Sequence, residues 1–312
     1  MSDGRRYFAF GLQIDSQIVL PELAAVESPS GETDISIVYG AVPATLPGGR
    51  RLDQRSQVTH RDALLHIEET AAFRISDGAK ICIDPLPQVD PARIRHFLLG
   101  LVLGVLLAQR GTIALHASAV DVQGHAVALI GRSGAGKSTL AAQLHRRGHG
   151  FICDDACVLE MRERATFAWP AIPQIKLWAN SLDAIPFDVT AFSPVLPGLE
   201  KYYVPASCPV GGKVPLPLKS FYLIKPCEPH CEIRIAAVKG LAAFRIFGEN
   251  VHGRAYHRHH HGESALLEKC MAFQRRVSIY SLQVPRQFEL LEQVCDRLVA
   301  HVVASDTITA DV

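Results

Sequence analysis

The sequence predicts an α/β chain in which a P-loop domain follows a smaller, mainly β N-terminal domain. Two observations predict it. Around Gly131 the text runs apolar strand, glycine-rich loop and helix in that order, the local context of a phosphate-binding loop. Before residue 88, short runs alternate apolar and polar residues between Gly- and Pro-bearing breaks, the pattern of half-buried strands.

The composition supports a folded chain. With 312 residues, 48% hydrophobic and 20% charged, it has material for one large or two modest cores and does not read as disordered. The formal net charge of +1 gives no overall pull toward nucleic acid or a membrane surface, and neither is expected as a partner. Eight cysteines stand at irregular spacing, and the opening MSDGRRYFAF lacks the layout of a signal peptide. The thiols therefore read as reduced and the chain as cytoplasmic. The most apolar run, FLLGLVLGVLLA at 97–108, is short of the roughly 20 residues that span a bilayer and reads as a buried core helix.

The first domain, 1–88, carries runs such as Phe8-Ala-Phe-Gly-Leu12, Asp34-Ile-Ser-Ile-Val-Tyr39, Ala63-Leu-Leu-His-Ile67 and Lys80-Ile-Cys-Ile-Asp84. Period-two patterning with turn signals between predicts mainly antiparallel pairing, open to peptide or partner recognition. Three prolines in 85–91 mark a linker to the second domain, 89–312. There a helix is expected from about Ala92 to Arg110, stopped by Gly111. Strands follow at 113–120 and 125–130, with a turn at Gln123-Gly124 between them. A helix over 138–147 and a short strand at 151–153 come next. Proline-rich text over 170–217 predicts short strands and turns. Buried strands are expected at 218–224 and 231–237, and amphipathic helices at about 263–276 and 285–303.

Gly131-Arg-Ser-Gly-Ala-Gly136-Lys137-Ser138 fits G-x-x-x-x-G-K-[ST] at every position. Glycines let the backbone fold so that several N–H groups converge on phosphate, and the helix that follows aims its positive dipole end at the same oxygens. Gly131, Ser133, Gly134, Ala135, Gly136, Lys137, Ser138 and Thr139 are the expected nucleotide-binding residues. Lys137 reaches the β and γ phosphates, and the Ser138 hydroxyl goes to Mg²⁺.

Shortly beyond, a strand delivers Asp154 and Asp155 side by side. Strand neighbours point to opposite faces, so the two carboxylates are expected to do different work. One binds Mg²⁺ and the other accepts a proton from an attacking hydroxyl.

The segments Leu115-His-Ala-Ser-Ala-Val120, 131–139 and Arg147-Gly-His-Gly-Phe-Ile-Cys-Asp154-Asp155 resemble, in order and spacing, the C-terminal domain of the HPr serine kinase/phosphorylase family. The layout resembles the HPr-kinase-like proteins of peptide-modification clusters, lasso-peptide precursor kinases among them, more than the regulatory enzyme. The resemblance implies a P-loop kinase domain of HPr-kinase type. It implies transfer of the γ-phosphoryl group of ATP, with Mg²⁺, to a hydroxyl, a serine of a peptide or small protein. It further implies Asp154 as general base, Asp155 on the metal side with Ser138, and His116 beside the catalytic aspartate. A homo-oligomer is left open by the same resemblance. One departure stands out. The family's second signature carries a glutamate for Mg²⁺, whereas Ala171-Ile-Pro-Gln174-Ile-Lys176-Leu-Trp178 has no carboxylate. Lys176 is a candidate for contact with phosphate oxygens as a point charge.

Two non-kinase readings stay open at this point. Water in place of the serine gives a hydrolase or switch, and idle nucleotide binding gives a module that recognises a peptide. Weaker candidates are Cys227, His230 and Cys231, which lack a fourth zinc ligand, and the cluster His252, His257, His259, His260 and His261. That cluster reads as an exposed loop, or as the lining of an anion entry together with Arg254 and Arg258.

Overall fold

The computed structural model describes residues 4–26, 31–163, 165–186, 192–206 and 213–307. They form two compact units, residues 1–114 with 251–269, and residues 115–250 with 270–312.

In the first unit, β1 (Arg5–Ala9), β2 (Leu12–Ser16), β3 (Ile35–Tyr39), β4 (Arg50–Arg51), β5 (Ser56–Val58), β6 (Asp62–Ile67), β7 (Ala71–Ser76) and β8 (Lys80–Pro85) form one eight-stranded sheet in the order β1-β2-β3-β8-β7-β6-β5-β4. Pairing is antiparallel except at β2–β3 and β3–β8. Ala71–Ser76 alternates buried and half-buried residues, as a sheet with one covered face requires. The chain then forms a helix in three parts: α1 (Pro91–Phe97), a π-helical stretch Leu98–Val102 and α2 (Leu103–Gln109). Asp90 caps its start by accepting from the Ala92 N–H at 2.8 Å, with Pro91 pre-set for the first turn. By length and composition this helix is long enough to cross a membrane. Leu98 to Ala108 are nonetheless mostly buried within the unit, and the glutamine that ends α2 donates to the Ile75 carbonyl of β7.

That packing changes the expected boundary. The sequence places the division at residue 88. The helix joins the strands before it because its apolar residues have that sheet to cover, so the compact unit runs to residue 114.

The second unit holds β9 (Ala114–Leu115), β10 (Ala117–Val122), β11 (His125–Ile130), α3 (Lys137–Arg146), β12 (Gly150–Cys153), β13 (Cys157–Met161), β14 (Thr166–Trp169), β15 (Gln174–Trp178), α4 (Ala179–Ala184), β16 (Lys201–Pro205), β17 (Leu216–Cys227), β18 (Ile235–Val238) and α5 (Gly240–Glu249). Residues 251–269 return to the first unit with α6 (Arg254–His261). α7 (Glu263–Gln274) leads back to β19 (Ser278–Pro285) and α8 (Leu291–Thr307). The nine-stranded sheet runs β12-β10-β11-β17-β14-β13-β9, with β19 pairing β17 and β18. β11, β17 and β19 are parallel, and β10 lies antiparallel between β11 and β12.

On one face of the sheet α3 and α8 bury Leu140, Leu144, Val294 and Leu298 against Val127, Leu129 and Tyr222. Strand alternation sends the neighbouring Phe221 to the other face. There it meets Phe247 of α5 edge-on at 5.7 Å, and Phe247 stacks on Phe273. Truncating an aromatic buried this fully costs about 3–5 kcal/mol. The ribbon β15–β16 packs Ile175, Leu177 and Val204 with Ala142 of α3 and Phe151 of β12.

Several expectations need correction. Four of the five clustered histidines, His257, His259, His260 and His261, are helical, and His252 lies in the turn before them. In α6 the His259, His260 and His261 rings donate to the carbonyls of Thr59, His60 and Ala108, so these side chains knit the first unit together. The last helix starts at Leu291 because Ser278–Pro285 is taken into the sheet by β17. Cys227 and Cys231 pair with each other, so neither is set out as a metal ligand. Within the proline-rich text, residues 187–191 and 207–212 lie outside the described residues.

Candidate active site

The loop after β11 owes its shape to glycine. Gly131 has φ 143° and Gly136 φ 98°, in the region that side chains other than glycine avoid. A Cβ on Gly131 would stand 3.1 Å from the Ile224 carbonyl of β17. Gly136 caps α3 in the left-handed conformation, which leaves the first helical N–H groups facing the loop. Lys137 is 7% exposed. Its ammonium donates to the carbonyls of Gly131 at 2.8 Å and Arg132 at 3.2 Å. Burial pushes it below the ordinary lysine range, against the pull of Asp154 and Asp155.

The antiparallel β10 brings the acidic pair to this loop. Ala117 stands opposite Ile130 of β11, and Ala119 opposite Cys153 of β12. The carboxyl ends of β11 and β12 therefore rise on either side of the residues that start β10. On that strand Ser118 donates to Asp154 Oδ1 at 2.5 Å, and across the loop Ser138 donates to the same oxygen at 2.8 Å. The Lys176 N–H donates to Asp154 Oδ2 at 3.0 Å. Burial and the adjacent Asp155 charge push the Asp154 carboxyl up, against these donors.

Asp155 faces elsewhere because the chain turns sharply. Its φ is 68°, and the Ala156 N–H donates across it to the Asp154 carbonyl at 2.9 Å. That is a γ-turn with positive φ, a strained arrangement costing about 1–3 kcal/mol for a residue other than glycine. The Asp155 carboxylate accepts from Lys176 Nζ at 2.8 Å, and its main-chain carbonyl lies 3.2 Å from His116 Nδ1. Burial pushes this carboxyl up, but the Lys176 ammonium, with Lys201 and His116, outweighs it and holds the group at about 2. Burial and the Lys137 charge lower His116, against Asp155.

These groups share a cavity of about 840 Å³. It opens at the carboxyl ends of the parallel strands, represented by Ile224, Pro226, Val284 and Pro285, where ligands of open α/β sheets bind. Ser133, Gly134, Ala135, Gly136, Lys137, Ser138 and Thr139 form one wall, and His116, Asp155 and Lys176 line it too. Gly131 is buried behind the loop, and Asp154 is tied in through Ser138. Thr139 also meets Ser181 of α4, hydroxyl to hydroxyl, at 2.9 Å.

The cavity includes residues that carried no signal in the sequence: Trp178, Glu200, Lys201, Arg286 and Phe288. Trp178 and Phe288 are exposed large side chains, and Lys201 Nζ sits 5.6 Å from the centre of the Trp178 ring. Lys201 reaches the site only because β16 pairs it with Trp178. Ser118 lay within the recognised segment, but its contact depends on β10 standing beside Asp154.

The donors around Ser138 are oxygens, the kind a hard divalent cation takes. Among the described residues no group of three or more His, Cys, Asp or Glu side chains is placed to hold a metal. Mg²⁺ characteristically uses one or two carboxylates and completes its shell with phosphate oxygens and water, so Ser138 and Asp154 fit Mg²⁺ brought in with a nucleotide.

Fold and loop together define a P-loop α/β domain. Residues 107–175 match the family described as HPr Serine kinase C-terminal domain, so across this segment the chain is similar to the HPr kinases. It is similar to the HPr kinase/phosphorylase of Bordetella avium, 36% identical over 117 residues that cover 34% of this chain and 37% of that protein. It is also similar to the HPr kinase/phosphorylase of Chlorobium chlorochromatii, 49% identical over 51 residues, 16% of this chain and 15% of that one. The chain thus spans well under half the length of these curated relatives. Among solved structures, the Hpr(Ser) kinase/phosphatase from Coxiella burnetii aligns at 13% identity with a TM-score of 0.32, covering 62% of this chain and 98% of that one.

Proposed function

We propose that this chain is an ATP- and Mg²⁺-dependent phosphotransferase that moves the γ-phosphoryl group to a hydroxyl, a serine of a peptide or small protein, in the cytoplasm. One observation carries the reading: the P-loop serine and Asp155 line a single cavity, and Asp154, turned another way, stands behind its wall in hydrogen bond with Ser138. Named HPr kinase/phosphorylases similar over this region support it.

The geometry favours exchanging the two aspartate roles that the family resemblance implies. Asp154 already accepts from two hydroxyls and an N–H, which suits a group that orients Ser138 and faces a cation. Asp155 lines the cavity and is held ionised, which suits a proton acceptor. Asp155 takes the proton of the acceptor hydroxyl as that oxygen bonds to the γ phosphorus. The bond from the γ phosphorus to the bridging oxygen breaks, ADP leaves, and Asp155 returns the proton to solvent. Loop N–H groups and Lys137 hold the phosphates, so positioning and charge stabilisation do most of the work. Mg²⁺, when bound, supplies positive charge at the phosphate oxygens.

The family match begins at residue 107, so most of the first unit lies outside it. The acceptor class we favour is a peptide from a modification cluster, the class that the layout of the sequence suggests. The test is incubation with ATP, Mg²⁺ and peptides encoded beside the gene, read by mass spectrometry. A phosphorylated serine is the expected product. Fast phosphate release without any acceptor, and no labelled peptide, would make the protein a hydrolase instead.

A further inference from the structure

Lys176 contacts both carboxylates of the site, through its backbone to Asp154 and through its side chain to Asp155. Its placement follows from the ribbon. Ile175 and Leu177 are buried at 0% and 1% exposure beside Ala142 and Phe151, so the alternate residue Lys176 turns to the opposite face and into the cavity. The ammonium and the Asp155 carboxylate are 18% and 32% exposed and 2.8 Å apart. A carboxylate whose Oδ2 accepts from an ammonium this close is a weaker acceptor for an incoming hydroxyl proton than the same carboxylate unpaired. The same ammonium is a point charge on a flexible stem with three donors, and it shares the cavity with the residues that hold the phosphates. A terminal phosphate brings more charge than one carboxylate and competes for it.

We propose that Lys176 is a positioning residue that holds Asp155 while the donor site is empty and shifts to the γ-phosphate when ATP enters, so that the base is released only with its donor in place. This rests on the phosphoryl-transfer reading. It gives the cation the work of discriminating a triphosphate from a diphosphate, in a site whose second signature lacks the family's glutamate. A purely structural Lys176 would tie β15 to Asp155 and treat both nucleotides alike.

The test uses the full chain with Mg²⁺ and two probes, ADP and the non-hydrolysable AMPPNP, titrated calorimetrically. Wild type should prefer AMPPNP. Lys176→Met should lower that preference about tenfold, the worth of one charge-assisted hydrogen bond, with ADP affinity nearly unchanged. Lys176→Arg should keep most of the preference. If the Met variant fails to fold by circular dichroism, Lys176→Gln, which keeps a polar side chain without the charge, takes its place. An unchanged ratio, or equal losses for both nucleotides, overturns this role and leaves the kinase reading standing. Wild type that binds neither nucleotide overturns both.

Discussion

Asp155→Asn separates the two carboxylates most sharply. The substitution keeps the shape and leaves the γ-turn backbone in place, but the amide cannot accept a proton. A positioned general base contributes about 10²–10⁴-fold. The expected loss in the transfer step is therefore of that order, about 10²–10⁴-fold. Nucleotide binding should survive or tighten, because Lys137 and the loop N–H groups are untouched and one negative charge beside the phosphates is gone. The assay is single-turnover transfer from ATP to the peptide identified by mass spectrometry, with nucleotide affinity measured in parallel. Asp154→Asn should differ in kind: it disturbs the partner of Ser138 and should weaken Mg²⁺–nucleotide binding. If Asp155→Asn transfers at near wild-type rate while Asp154→Asn abolishes transfer with binding intact, the exchange of roles is wrong and Asp154 is the base.

Ser138→Ala should weaken AMPPNP about tenfold when Mg²⁺ is present and little when it is chelated; equal affinity under both conditions would remove Ser138 from the cation's shell. Gly131→Ala drives a Cβ toward the Ile224 carbonyl at a backbone angle side chains avoid, so its urea midpoint should report a loss of about 1–3 kcal/mol. His257 is 2% exposed, and burial, with nearby cationic groups, lowers it from 6.5 to about 4. Its neutral form is stabilised by folding, so the contribution is full above about pH 6.5 and lost as pH falls toward 4, about 3 kcal/mol in all. His257→Phe should therefore show a flatter fall in urea stability than wild type between those pH values; parallel curves would refute the assignment.

Much of the P-loop was legible because its requirements are local. Gly131 and Gly136 supply backbone angles, and Lys137 and Ser138 follow within one helical turn. The His125–Ile130 strand was legible for the same reason, as a bounded apolar run. The α6 helix was not, because Arg254 to His261 reads as polar text, and its histidine rings find their carbonyls only once Thr59, His60 and Ala108 are folded beside them. The strand Ser278–Pro285 was missed because its main commitment is parallel pairing with β17, far off in sequence.

The sequence by itself determined that the chain has a phosphate-binding loop with two carboxylates close behind it, since short-range backbone geometry and residue type are sufficient for both. Where each carboxylate points was a tertiary decision. A γ-turn at Asp155 aims it at Lys176, while strand pairing sets Ser118 against Asp154. Lys176 and Lys201 enter the site through a two-stranded ribbon whose register is fixed by the apolar residues on its other face, and no local pattern in the sequence records where that ribbon will lie.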